Sequence, residues 1–319
     1  MPAEVRTLNR WQKCRLAFAH GCVYLLSLLP MWMLYLLSDL TFIFLYSIGR
    51  YRRKIVRKNL RESFPEKSKL ELLQIEVKFY HWLCDYIFET IKLASMSRKQ
   101  MQRRMRFENT ELPNRLLTEG RSIALMLGHY CNWEWVSSIP LHINVPNSKL
   151  LQIYHPIENA VVNKLFLHIR ERMDATSVPM LETLRVIMHH KLEGNATMTG
   201  FIADQAPNWH DIHCWIPFMS HPETPFFTGS ERIAKKLDFV VLYLDVRREK
   251  RGYYVATYRM MTEHPKEYKD WEITEWYARL LEESIRRQPH LWLWSHNRWK
   301  RTREQYNELI DPETGKLRI

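Results

Sequence analysis

The spacing of apolar residues changes twice along this chain, and each change marks a different kind of element. Residues 22–48 are apolar almost throughout, broken only by Pro30, Asp39 and small polar side chains. Residues 68–93 instead place Leu72, Leu73, Ile75, Phe79, Leu83, Tyr86, Ile87 and Ile91 at mixed three- and four-residue steps, which predicts a long helix. Beyond a basic connector at 98–106, short apolar runs alternate with helical stretches. The runs at 122–128, 149–154, 198–203, 239–246 and 253–260 read as strands. The stretches at 133–143, 158–172, 179–192, 229–237 and 271–287 read as helices. This alternation predicts an α/β fold, a central sheet flanked by helices. In such sheets functional residues collect at the carboxyl ends of strands.

The first apolar segment changes the picture of where the chain works. A bilayer takes about 20 apolar residues to cross, and residues 21–38 nearly supply that number. Trp32, Tyr35, Phe42 and Tyr46 suit an interface, and no small-x-small cleavage site follows. Arg6, Arg10, Lys13 and Arg15 precede the segment; a denser cluster of Arg50, Arg52, Arg53, Lys54, Arg57 and Lys58 follows it. The stronger positive flank predicts that the bulk of the chain stays cytoplasmic. The competing reading is a buried helical hairpin turned at Asp39. Residues 1–50 are therefore expected to form a basic N-terminus and membrane anchor, and 51–319 the α/β domain.

Charge and cysteines narrow the partners. The 319 residues carry 47 Lys and Arg against 35 Asp and Glu, a net +12, which favours an anionic partner: nucleic acid, an anionic membrane, or an acidic carrier or lipid. No nucleic-acid motif is present, and the apolar anchor argues against that class. Five cysteines without paired spacing fit a reducing compartment. Neither a Walker A nor a G-x-G-x-x-G cradle occurs, and no G-x-S-x-G elbow supports a serine hydrolase.

The most informative residues are His129-Tyr130-Cys131-Asn132-Trp133-Glu134, directly after the apolar run 122–128. A neutral imidazole takes a proton from an alcohol, and a carboxylate fixes its tautomer and steadies the imidazolium. On one continuous helix the two side chains would diverge by roughly 140°. Glu134 is thus expected to serve His129 from a helix that follows the strand, with Gly128 allowing a tight exit and Asn132 capping the helix. Asp204-Gln205 ends a second strand before Ala206-Pro207 and could bind a substrate hydroxyl or an arginine, or simply cap its loop. Arg170-Glu171-Arg172 could hold a phosphate or form a solvated helix face.

Cys131 offers a covalent route, although residues two apart point to opposite sides of an extended segment, and a packed cysteine is the plainer reading. His210, His213 and Cys214, even with His189-His190, have a spacing that suits zinc poorly, and no metal site is expected. Arg298, Lys300, Arg301 and Arg303, interleaved with Trp294 and Trp299, read as a basic surface for a membrane or an acidic carrier.

Taken in order, these blocks resemble a known family. Arg53, Asn59-Leu60 and Phe64-Pro65 come first, then Gly128-His129 with Glu134, then Arg170-Glu171-Arg172. Asp204-Gln205, Pro217-Phe218 and Thr224-Pro225 follow, and Gln288-Pro289-His290-Leu291-Trp292-Leu293-Trp294 closes the series. The chain is similar over nearly its whole length to the bacterial lipid A biosynthesis lauroyl/myristoyl acyltransferases. The resemblance implies a glycerolipid-acyltransferase-like fold at the inner membrane, with the catalytic domain on the cytoplasmic side. It also implies a thioester donor, acyl carrier protein or acyl-CoA, with no further cofactor, and a lipid A precursor as acceptor. His129, held by Glu134, would deprotonate the acceptor hydroxyl for direct attack on the thioester. Arg170, Asp204 and Gln205 would bind the acceptor's polar head or complete the oxyanion environment. Other acceptors (an aminolipid, a glycolipid or a lysophospholipid) share the same chemistry, and an inactive scaffold of the same fold is the remaining alternative.

Overall fold

The computed structural model of the chain describes residues 8–314 and 316–318. Its elements in order are α1 (Arg10–Ser27), α2 (Met31–Ile43), α3 (Arg53–Ser63), α4 (Lys69–Leu93), α5 (Arg98–Arg104), β1 (Met105–Glu108), α6 (Glu111–Thr118) and β2 (Ile123–Leu127). There follow β3 (Ser148–Tyr154), α7 (Ala160–Arg170), β4 (Thr176–Pro179), α8 (Thr183–Leu192), β5 (Ala196–Ile202), and the hairpin of β6 (Trp215–Phe218) and β7 (His221–Pro225). The chain continues with α9 (Gly229–Leu237), β8 (Val240–Lys250), β9 (Tyr253–Thr262), α10 (Glu272–Arg287) and α11 (Arg303–Glu308).

Seven strands form one sheet in the order β1-β9-β8-β2-β5-β3-β4. β8, β2, β5, β3 and β4 run parallel; β9 turns back antiparallel to β8, and β1 runs parallel to β9. The central strand β2 is five apolar residues, all buried, as a parallel strand covered on both faces requires. From one side α10 packs down through Tyr277, whose hydroxyl donates to Leu127 O (2.7 Å), and Ser284, bonded to Tyr243. From the other side α4 reaches the sheet through Glu89, which accepts from the Tyr254 hydroxyl (2.8 Å). The fold is therefore a mixed α/β sheet flanked by helices, as the alternation of apolar runs predicts.

The strongly periodic stretches lie where expected. α4, opened by a Ser68–Glu71 capping box, spans nearly all of 68–93, and α9 fills 229–237. The expected helix at 133–143 is instead a 3-10 helix, Trp135–Leu141, in which Pro140 lacks the N–H that an α-helix would use. The basic connector at 98–106 contains α5 and enters β1, and the short α6, β4 and the β6–β7 hairpin carried no periodic signal.

The N-terminal segment divides at a different place from either expectation. α1 ends at Ser27 and α2 starts after Pro30, so residues 21–38 do not form one helix. Lys92 Nζ donates to Ser27 O (2.8 Å) and Leu29 O (3.0 Å), and Ser95 Oγ to Ser27 O (2.6 Å), pinning the turn. No turn occurs at Asp39. It lies within α2, and Arg251 Nη2 meets its carboxylate at 2.6 Å. α2 runs on through a π-helical turn, Phe44–Gly49, and Met31–Gly49 is the one described helix long and apolar enough to cross a membrane. One face packs on α4 through Leu34 and Ser38, while Trp32, Leu36, Leu40, Phe44 and Ile48 form an exposed apolar ridge. Arg6, in the basic flank, lies outside the described residues.

Candidate active site

β2 and β5 are neighbouring parallel strands, and their register pairs Leu127 with Ile202. Both chains leave the sheet at the same level. Two residues further on, His129 and Asp204 therefore stand side by side. His129 Nδ1 lies 2.6 Å from Asp204 Oδ1, and the His129 backbone N–H donates to Asp204 Oδ2 (2.9 Å). The Trp292 indole N–H donates to that same Oδ2 (2.7 Å). Asp204 is 1% exposed. Burial pushes its carboxyl up, but the electrostatic attraction of the His129 ring and the three hydrogen bonds outweigh burial and hold it below its ordinary range. With a carboxylate on Nδ1, the neutral ring carries its proton there and offers its lone pair from Nε2.

Gly128 is needed for this approach rather than for an unusual dihedral. A Cβ there would lie 2.6 Å from Leu281 Cδ1 and 3.2 Å from Asp204 Oδ2. The segment after His129 pairs with the C-terminal run: Leu293 N–H donates to His129 O, Cys131 N–H to Leu291 O, and Tyr130 bridges Trp292. Asn59 Nδ2 in turn donates to Trp294 O (2.9 Å) and His296 O (2.8 Å), fastening that run to α3. The Asn59-Leu60 and Trp292–Trp294 blocks, far apart in sequence, thus brace one loop.

Two expectations about carboxylates are corrected by this geometry. Asp204, not Glu134, orients His129. Glu134 is buried and ion-paired with Arg170, Oε1 to Nη2 at 2.5 Å and Oε2 to Nε at 2.6 Å, and the Tyr86 hydroxyl also donates to it. The 3-10 turn carries Glu134 past His129 toward α7, where the last helical residue is Arg170. Neither is Asp204 free for a substrate, since both its oxygens are occupied. Arg170 turns its fork onto Glu134, while Arg172 is exposed. Gln205 does reach the reactive edge, its side-chain nitrogen 3.3 Å from His129 Nε2. Asn132 caps the 3-10 turn by accepting from Trp135 N–H (3.1 Å), and its amide also donates to Glu89 Oε2 (2.7 Å).

His129, Glu134, Arg170 and Gln205 all line a cavity of about 610 Å³. Its walls are largely apolar, with Leu125, Leu150, Ile153, Met198 and Phe201 among them, which suits an alkyl chain. Gly200, midway along β5, also faces it. His296 joins the polar end; its Nε2 accepts from Ala206 N–H (3.1 Å). Burial, then Arg298, pushes His296 down to about 4, so it is neutral near pH 7.

Several other candidates lie elsewhere. Cys131 is fully buried at φ +55°, its sulfur directed at Val246 O, and burial pushes the thiol far above its ordinary value. A thiolate nucleophile is not available there. Arg298 is wholly buried instead of lying on a basic surface; it donates to Pro225 O and stacks 4.5 Å over Phe226. Cys214 Sγ is buried toward Phe226 O, away from any cluster with His210 and His213. Among the described residues, the cluster with ligand spacing is Asp39, His81 and Asp85, and Arg251 bonds to both of its carboxylates. Sequence reasoning overlooked Trp292, Asn59 and His296 as site-builders. The Trp292–Trp294 run, two tryptophans in three residues near the chain's end, was the signal available.

No curated relative matches the chain. The family model described as bacterial lipid A biosynthesis acyltransferase matches residues 4–301 of the 319. With that match over most of its length, the chain belongs to the bacterial lipid A biosynthesis acyltransferase family.

Proposed function

We propose that this acyltransferase moves a fatty acyl group from the thioester of acyl carrier protein to a hydroxyl of a lipid A precursor, with His129 as general base. The observation that carries the reading is the His129–Asp204 pair, whose Nε2 edge opens into the apolar cavity. The acceptor O–H gives its proton to Nε2 as its oxygen bonds to the thioester carbonyl carbon. Collapse of the tetrahedral adduct breaks the C–S bond, and the imidazolium returns the proton to the departing thiolate. Asp204 holds the ring in the required tautomer throughout and stabilises the imidazolium. The thioester is already activated, so no acyl-enzyme is required, in keeping with the burial of Cys131.

An acidic carrier suits a chain of net charge +12. Membrane attachment is supported by the exposed ridge of α2 and by Arg50, Arg52 and Lys54 immediately after Gly49. In this reading α2 lies in the inner membrane and the sheet domain on its cytoplasmic side.

Mass spectrometry of lipid A from cells with and without the chain tests this directly. The expected result is loss of one acyl chain's mass, restored by the wild type and not by His129→Ala. Unchanged lipid A with another lipid altered would move the acceptor to a different class. No lipid change would overturn the proposal.

A further inference from the structure

A second cavity, of about 440 Å³, lies beside the first, and the two share Gln205 and His296 in their walls. Leu45, Leu83, Ile87 and Leu293 make its apolar lining. Leu45 belongs to the π-helical turn that ends the Met31–Gly49 helix. Ile87 remains 40% exposed, an apolar side chain at an open wall. Arg52 supplies a charged group in the lining, and its Nη1 donates to Ser295 O (3.1 Å). Arg50 and Arg52 are both held at left-handed φ, +43° and +49°, conformations that cost energy for side chains of this kind. The Tyr80 hydroxyl, bonded to Tyr51 O (2.5 Å), helps to hold that stretch in place.

We propose that this smaller cavity is the acceptor site: it takes one hydrocarbon chain of a lipid with an anionic headgroup, and Arg52 pairs with that headgroup. The inference rests on the acyl-transfer reading above and divides the two substrates between the two cavities. A guanidinium beside an apolar slot matches a phosphate on an alkyl chain. A lipid leaving the bilayer along α2 meets Leu45 and Ile87 first. Its hydroxyl then passes Gln205, which stands 3.3 Å from His129 Nε2. The larger cavity, on the other side of Gln205 and His296, holds the donor's acyl chain with its thioester at the same nitrogen. Nucleophile and carbonyl thus approach from different sides, and neither has to leave before the other binds. The bond changes are those already given: the acceptor O–H and the donor C–S break, a C–O ester and an S–H form, and the proton passes through His129.

The test uses the full chain in lipid nanodiscs and two readouts. The first is steady-state acyl transfer by Ile87→Trp, which fills the smaller cavity from a half-exposed position, and by Arg52→Gln. The expected outcome is a rise of about tenfold or more in KM for the acceptor, with KM for the donor unchanged. The second readout is independent of turnover: photocrosslinking with dodecyl phosphate carrying a diazirine at its chain end, followed by peptide mapping. Labels on the peptides holding Leu45, Ile87 or Leu293 are expected, and Ile87→Trp should remove them. Labels on Leu150 or Met198, no labelling, or a rise in the donor's KM instead would each overturn the assignment. Labelling of the smaller cavity by a wild type that transfers no acyl group would sink the acyl-transfer reading and leave the amphiphile site standing.

Discussion

Glu134 grips Arg170 through two parallel hydrogen bonds, 2.5 and 2.6 Å long, and so ties the loop after His129 to the end of α7. Glu134 is 3% exposed and the Arg170 side chain 22%. Removing one partner of a buried pair leaves the other uncompensated, at a cost of about 3–5 kcal/mol. Arg170→Met is therefore expected to lower the unfolding midpoint sharply, and Glu134→Gln/Arg170→Met to recover much of the loss. If Glu134 served His129 as a relay, the double variant would stay inactive after its stability returned. Chemical denaturation and turnover, measured on the same three proteins, separate the two roles.

His129 and Asp204 carry a different signature. His129→Ala should remove turnover in a protein that still folds, although it leaves buried Asp204 with only the His129 backbone and Trp292 N–H donors and so lowers the midpoint of unfolding. Asp204→Asn should leave the cavity intact but lower kcat by roughly 10²–10⁴-fold, because the amide cannot enforce the same tautomer. Substantial acyl transfer by His129→Ala would remove the general-base assignment.

Gly200 lines the larger cavity midway along β5, and it is expected to limit how far an acyl chain can run there. A Cβ at this position would sit 3.7 Å from Leu151 O and 3.9 Å from Leu127 Cδ2, ordinary contacts, with no positive φ to strain. Gly200→Ala should fold normally, and Gly200→Leu should fill space now open to the donor. The expectation for the leucine variant is a shift toward shorter acyl donors, with at least roughly tenfold loss in kcat/KM for the preferred one. An unchanged acyl-length profile would mean the chain lies elsewhere.

Glu89 predicts a pH dependence of stability. Burial, then the charge of Asp85, raises its carboxyl from 4.5 to about 7, although Asn132, Tyr254 and Tyr35 all donate to it. The folded protein keeps a proton that the unfolded chain releases, so this contribution is full below about 4.5 and lost as pH rises through about 7. The size is on the order of 3 kcal/mol. Wild-type stability should fall between about pH 5 and about pH 8, and Glu89→Gln should flatten that part of the curve. A variant with the same slope as the wild type would assign the dependence to other groups.

Much of this architecture was legible along the chain. Short apolar runs bounded by turns announced β2, β3 and β5; in β2 all five residues are buried, as a parallel strand covered on both faces requires, while β3 is mostly half-buried. Three- and four-residue spacing announced α4, whose buried stripe repeats with the helical turn, and the stretch 271–287 also read as a helix, which is α10. The positions of His129 and Asp204, each just past the end of such a run, marked both as candidates.

What only the tertiary structure decided was which groups meet. Glu134 lies five residues from His129 and Asp204 lies 75, yet the distant carboxylate is the one on the ring. The register of β2 on β5 brings residues 129 and 204 to the same level, and that register is set by hydrogen bonding and packing between strands separated in sequence. Local spacing carries no trace of it. The same holds for Arg298, which reads as a surface charge by composition and is buried against Phe226 by the closing of the C-terminal run over the β6–β7 hairpin. Periodicity determines which face of an element is apolar; the choice of partner across the fold belongs to contacts made only once the whole core has closed.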